Sequence, residues 1–361
     1  MKLKKLVMLG MVGVMGLSLS ACGRNSGNAA KETTAKAADA SAAGTEAAAD
    51  AGAAGTVTIK VGHVEAEDRS THQALVKYFK EPLEAKSNGA IKVELYPNGA
   101  LGGDSQLSES VAMGTLDAAL PSTSVLVAYS SDFGVLDMPY LFSTPENAFT
   151  AMDGDYGTYF NGKLDAVGIH GLGYSYNGLR SMTNNVRPIT TPADLKGIKM
   201  RVMESPVFID FFQTLGASAT PMSFNELFTG LQQNTVEGQE NPPSLIYASK
   251  FYEVQKYLSV TEHVNNFLGF IMNKKSYEAL TPEQRTMVDE AAASFVKEQR
   301  AMELADTQKY VDLLGSEGGL AVNTLTPEQK AEFRTALQPM YDKYSKEFGE
   351  DLFKMADQYN Q

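Results

Sequence analysis

Cysteine is almost absent from these 361 residues: Cys22 is the single one. That excludes an intramolecular disulfide, so the fold must rest on its core. Histidine is nearly as scarce. His63, His72, His170 and His263 are scattered, with no His-x-His or His-x-x-x-His spacing, so no transition-metal set is legible and no cofactor is called for. Positive charge is short as well, 31 Lys and Arg against 43 Asp and Glu, a formal −12. A balance that acidic argues against nucleic acid, which needs a basic face. The longest apolar run, Leu6 to Leu17, falls short of the roughly 20 residues of a membrane-spanning helix. Enzyme signatures are missing too: there is no Gly-x-Ser-x-Gly elbow, P-loop, Gly-x-Gly-x-x-Gly or His-Glu-x-x-His. A carbohydrate hydrolase built on paired carboxylates has no short signature and stays open as an alternative. So does a structural or adhesive surface protein.

What is present begins with an export signal. Lys2, Lys4 and Lys5 precede the apolar run, and Leu19-Ser-Ala-Cys22 closes it. The ending resembles a bacterial lipobox, so residues 1–21 read as a lipoprotein signal peptide and Cys22 as a lipid-modified mature N-terminus. Removal of the three lysines takes the charge from −12 to −15. Residues 22–55 are Ala-rich, without aromatics or branched apolar residues, and read as a flexible tether reaching about 30 Å.

From residue 56 on, strands and helices alternate. Strands are expected at 57–61, 91–96, 166–176, 199–202, 256–261 and 267–272. Helices are expected at 71–86, with a kink or break near Pro82, and at 105–113, 205–215, 223–233 and 242–253. Asn177-Gly-Leu-Arg180 reads as a turn. Ser223 with Glu226 forms a capping box, and Thr281 and Thr326 each open a Thr-Pro-Glu-Gln helix start. The run 294–314 is long enough to span more than one lobe. The class is α/β.

Few residues carry chemistry. Arg201 closes a strand and Arg180 follows a Gly-Leu pair. A guanidinium fork matches a carboxylate as lysine cannot, and open α/β sheets bind ligands at their carboxyl edges. Either could equally pair with a surface acid. Asn241, before two prolines, reads as an N-cap or as an amide aimed at an anion. His63 and Glu65 could bond ligand hydroxyls, although their loop, with Glu67, Asp68 and Arg69, reads more simply as a solvated rim. Tyr176, Phe224 and Tyr140 are candidate cleft walls that core packing would explain as well.

Ordered pieces of the chain resemble one family, the substrate-binding proteins of tripartite ATP-independent periplasmic (TRAP) transporters. They include Tyr96-Pro-Asn-Gly-Ala-Leu-Gly, Met113-Gly-Thr-Leu-Asp117, Met138-Pro-Tyr-Leu-Phe, Thr191-Pro-Ala-Asp-Leu-Lys-Gly-Ile-Lys-Met-Arg201 and Gly238-Gln-Glu-Asn-Pro. The resemblance implies a two-lobed periplasmic-binding-protein-like fold with hinge strands and a long bridging helix. One lobe would hold 56–177 with 266–305, the other 178–265 with 306–361. It further implies a receptor rather than an enzyme, with Arg201 as the main carboxylate contact, Arg180 a second basic contact and Asn241 the amide contact. The ligand would be a small organic acid, passed to a membrane permease driven by an ion gradient. Two departures stand out: the lipobox and tether, which suit a cell without a retaining outer membrane, and Pro121-Ser-Thr-Ser124 where sialate-binding relatives carry a glutamate. Ser122 and its neighbours suit hydroxyl-rich acids, so uronate-like sugar acids are expected first and C4-dicarboxylates next.

Overall fold

A computed structural model describes residues 56–361; the expected signal peptide, Cys22 and the tether lie outside the described residues. The chain starts in one sheet. β1 (Val57–Gly62) and β2 (Ile91–Tyr96) pair in parallel, Val57 opposite Ile91. Alternation along β1 turns Ile59 and Val61 into the core, where both are buried. The helix between them, residues 70–86, is not broken at Pro82. A π-helical stretch, Leu75–Lys80, sits just ahead of the proline, and its wider turn accommodates the ring and the missing N–H. β3 (Ala118–Ala119) lies on the other side of β1, and β4 (Ile169–Leu179) comes later.

After Leu179 the chain runs on, still extended, into a second sheet as β5 (Ser181–Asn184). The turn expected at 177–180 is not made. β4 pairs instead with a strand returning from the second sheet, and its register slips by one residue at Asn177. The positive φ of Gly178, 126°, serves that bulge rather than a reversal. The second sheet adds β6 (Lys199–Val202), β7 (Ser218–Pro221), β8 (Gly238–Asn241) and β9 (Tyr257–Val260). Residues 261–264 cross back to β10 (Asn265–Asn273), and β11 (Ala321–Thr324) finally joins the second sheet. The orders are β2-β1-β3-β10-β4 and β11-β9-β5-β8-β6-β7.

Two antiparallel strands therefore connect the halves. They stay hydrogen-bonded at the crossing: Arg180 N donates to Val264 O (3.0 Å) and His263 N to Arg180 O (3.1 Å). A third connection is the 35-residue helix Pro282–Ser316, capped at Thr281 by its exchange with Gln284. Its early residues Val288, Ala292 and Phe295 pack with Leu268 and Phe270 of the first sheet. Its late residues Val311 and Leu314 pack with Leu231, Ile246 and Leu258 of the second half. The last helix, Glu350–Tyr359, returns to lie on the helices Pro145–Asp153 and Asp155–Asp165 of the first half. Among the described residues no helix is long and apolar enough to cross a membrane.

Gly178 faces the second half so closely that a Cβ there would meet Pro242 Cβ at 2.7 Å, whereas Gly168, also at positive φ, has nothing within 4 Å. Gly168→Ala should cost about 1–2 kcal/mol of backbone strain. Gly178→Ala should add about 1–3 kcal/mol from the clash. Equal losses of the two variants in chemical denaturation would show that the approach at 178 is not tight.

Candidate functional site

The two crossing strands bring the carboxyl edges of both sheets together, and polar side chains from each converge there. The first half contributes Glu65 from the loop after β1, Asp104 from a helix start (Asp104–Met113) and Ser122. The second contributes Arg201 from β6, Phe224 and Asn241, while Asn177 and Arg180 come from the crossing itself. The space they enclose is about 10 Å³, on the order of one water. A wider groove of about 610 Å³ between β4 and the long helix shares none of these residues. Size does not single it out either, since a groove of about 730 Å³ beside Met113, Gly168 and Lys274 is larger. The guanidinium of the groove along β4, Arg300, is already held by Asp153 at 2.8 Å and by Tyr174 O.

The two arginines differ in what they are free to do. Arg180 is fully buried and committed: it forks onto the Glu240 carboxylate, donates to Glu240 O (2.6 Å), Asn241 Oδ1 (2.9 Å) and Asn266 Oδ1 (3.1 Å), and lies over the Phe208 ring. Glu240 also meets His263 Nε2 at 3.2 Å. Burial alone would raise the Glu240 pKa, but Arg180 and His263 outweigh it and hold the carboxyl below its ordinary value. Arg201 is 3% exposed and donates Nε to Met222 O (2.9 Å), yet its Nη1 has no protein partner. Burial brings its pKa down to about 10, helped by the facing Arg180 and opposed by Glu240 and Asp104. It remains a cation at neutral pH, desolvated and without an acid of its own.

Two carboxyl groups face the same cavity. Glu65 is fully buried with Oε1 unpartnered, and burial pushes its pKa up against the pull of Arg69. Asp104 accepts from Ser122 N at 3.1 Å and is raised by burial as well. Among the described residues no three His, Cys, Asp or Glu side chains converge to hold a metal ion. The arrangement suits an anion that also carries hydrogen-bond donors.

Of the residues singled out in the sequence, Arg201, Arg180, Asn241, Glu65, Phe224 and Ser122 line this cavity. His63 and Tyr176 do not. His63 is buried against His72 (3.1 Å) with its pKa lowered to about 3, mainly by burial. The Tyr176 ring packs on Phe149 and Phe267 with its hydroxyl on Asn265. Asn241 caps no helix: Pro242 holds that position, and the amide bonds Arg180 and Gln239 instead. Ser223 makes no capping bond either. The loop read as a solvated rim is exposed only in part, since Glu67 and Asp68 face solvent while Glu65 and Arg69 are buried. Asp104 and Asn177 were missed. An acid opening a helix straight after a Gly-rich loop was the signal for the first; Asn177 was hidden by its reading as a turn.

A family model described as bacterial extracellular solute-binding protein, family 7, matches residues 61–347. The chain is 33% identical to the 2,3-diketo-L-gulonate-binding periplasmic protein YiaO of Escherichia coli, over 83% of this chain and 92% of that one. It is 34% identical to the C4-dicarboxylate-binding protein DctB of Bacillus subtilis, over 82% and 85%. The crystal structure of a sugar acid binding protein from Advenella mimigardefordensis in complex with galactonate superposes with a TM-score of 0.81 at 35% identity, covering 84% of this chain and 99% of that one. The hydrolase alternative finds no support in these comparisons. With its two sheets, its doubly crossed hinge and its bridging helix, this chain belongs to the family 7 extracellular solute-binding proteins, the receptors of TRAP transporters.

Proposed function

We propose that this protein captures a small organic acid outside the cytoplasm and delivers it to the membrane subunits of a TRAP permease. A hydroxylated sugar acid such as a uronate or aldonate is the favoured ligand, a C4-dicarboxylate the next. One observation carries the reading: a buried guanidinium, Arg201, whose Nη1 has no protein partner, stands at a cavity lined also by Glu65, Asp104, Ser122, Asn177 and Asn241. An incoming carboxylate supplies the missing counter-charge in a fork geometry. Glu65, Asp104, Ser122 and Asn177 would meet hydroxyls. Since the cavity is walled by both halves, capture calls for opening and closing about the two crossing strands, a hinge motion favoured by contacts present only when closed. The moving bodies would follow the lobes read from the sequence, except that the last helix, packed on the first half, would travel with it.

Retention at the outer face of the cell membrane through lipid on Cys22, with residues 22–55 as the tether, belongs to the same proposal. Its support is the lysine-led apolar run and the Leu-Ser-Ala-Cys ending. Cys22→Ala should move the protein from the membrane to the soluble fraction on cell fractionation; an unchanged membrane fraction would refute the anchor.

Thermal melting against uronates, aldonates, dicarboxylates and keto acids should single out a ligand. A micromolar binder at millimolar concentration stabilises by about 4 kcal/mol. Arg201→Ala should then weaken binding by about 2–5 kcal/mol in calorimetry, and native affinity in that variant would sink the assignment. Arg201→Met, which removes a desolvated cation while keeping much of its volume, should raise the melting temperature of the ligand-free protein, gaining about 1–4 kcal/mol. A lower melting temperature would show that the charge is compensated after all.

A further inference from the structure

The loop after β1 hides a charged cluster that the capture of a carboxylate does not explain. Arg69, 1% exposed, distributes its guanidinium over four segments of the fold. Nη1 donates to the Glu65 carboxylate and to Asn177 Oδ1 (3.0 Å); Nη2 donates to Asn177 O (3.0 Å), Ser244 Oγ (2.8 Å) and Glu303 Oε1 (3.0 Å). Asn177 sits at the crossing, Ser244 on the helix Pro243–Ala248 of the second half, and Glu303 in the middle of the bridging helix. Ser244 and Ser70 hydroxyls donate to the two oxygens of Glu303. Glu303 is thereby satisfied on both sides.

Glu65 is not. One oxygen is taken by Arg69 and the other is bare and buried, and the residue lines the same cavity as Arg201, whose Nη1 is likewise without a partner. The one guanidinium of Arg69 is thus shared between two buried carboxyl groups, Glu65 and Glu303. The cavity thus offers an unsatisfied cation from one wall and an unsatisfied acceptor from the other. A ligand completing both must present a carboxylate and a hydroxyl donor. A second carboxylate beside Glu65 brings no donor and meets like charge.

We propose that Arg69 is a positioning residue with two linked tasks: it aims Glu65 at a ligand hydroxyl, and through Ser244 and Glu303 it fastens the second half once the cleft is shut, so that the site selects hydroxylated monoacids over simple dicarboxylates. The proposal rests on the receptor reading given above and specifies its ligand class. It gives Arg69, Glu65 and Ser244 distinct signatures. Glu65 touches ligand, Ser244 touches only the clasp, and Arg69 does both jobs by its fork, which lysine cannot reproduce.

The test measures affinities and release rates of the mature protein for D-galactonate, D-erythronate and D-galacturonate against succinate. Wild type should bind at least one of the three hydroxy acids more tightly than succinate. Glu65→Gln should weaken that acid by about tenfold, the scale of a hydrogen bond to a charged group, and succinate far less, narrowing the ratio. Ser244→Ala should speed release of both acids by the same factor and leave the ratio alone. Arg69→Lys should do both. The inference is overturned if wild type prefers succinate, if Glu65→Gln shifts all four acids equally, or if Ser244→Ala releases them at the wild-type rate. These outcomes separate from failure of the receptor reading itself, in which no acid binds or Arg201→Ala changes nothing, and the clasp falls with it. Should Arg69→Lys not fold, the other two variants decide the question.

Discussion

A buried cation without its own counter-ion is costly, and the placing of Arg201 in that state is the constraint from which the rest follows. β6 lies between β8 and β7, so its side chains are walled in on both flanks. A single bond to Met222 O fixes the Arg201 Nε while the far nitrogen stays bare. Glu240, the acid that most favours its charged form, is itself held by Arg180 and His263. Desolvation of an unpaired ion costs several kcal/mol, a burden this chain can carry because three hydrophobic clusters stabilise the remainder. On the reading proposed above, an arriving anion would recover that cost, which would make it binding energy held in reserve rather than a defect.

That reserve is useful only if the site can open. Two adjacent antiparallel strands, bonded to each other at Arg180 and His263, form a narrow ribbon between two broad sheets. The Arg180–Glu240 pair fastens β8 to this ribbon, so the arginine that resembles a second ligand contact also holds the pivot together. The bridging helix touches both halves and would bend or slide as they move. Arg69 and Glu303 place a charged fastening between that helix, the pivot and the second half. On the proposed reading, ligand contact and closure would then draw on neighbouring bonds of one buried network.

Much of the architecture was legible beforehand where the deciding interactions are local. The Thr281 and Thr326 helix starts appear as read, each with its Gln three residues on, because a capping box is closed within one turn. The strands expected at 57–61 and 91–96 are present as well, the first one residue longer, because alternation is a pattern of adjacent residues. Local reading failed where distant partners intervened. Asn177-Gly178 is a turn signal by itself, but β10 arrives from nearly ninety residues away and turns it into a bulge. Asn241 has every local mark of a cap, but Arg180, 61 residues earlier, claims its oxygen. The acidic loop at 65–69 was read as a rim because its burial depends on Ser244 and Glu303, 175 and 234 positions from Arg69.

By itself the sequence settled the α/β class, the lack of disulfide, the acidic balance and, through an ordered series of short matches, the family. Those properties are set by composition and by contacts within a few residues. Only the tertiary structure decided which of two arginines keeps a free nitrogen, that Glu65 and Arg69 turn inward while Glu67 and Asp68 face solvent, and that His63 and Tyr176 stand apart from the cavity. Pairing and burial of charge depend on which residues meet after folding, and in this chain the groups that decide them lie tens to hundreds of positions apart.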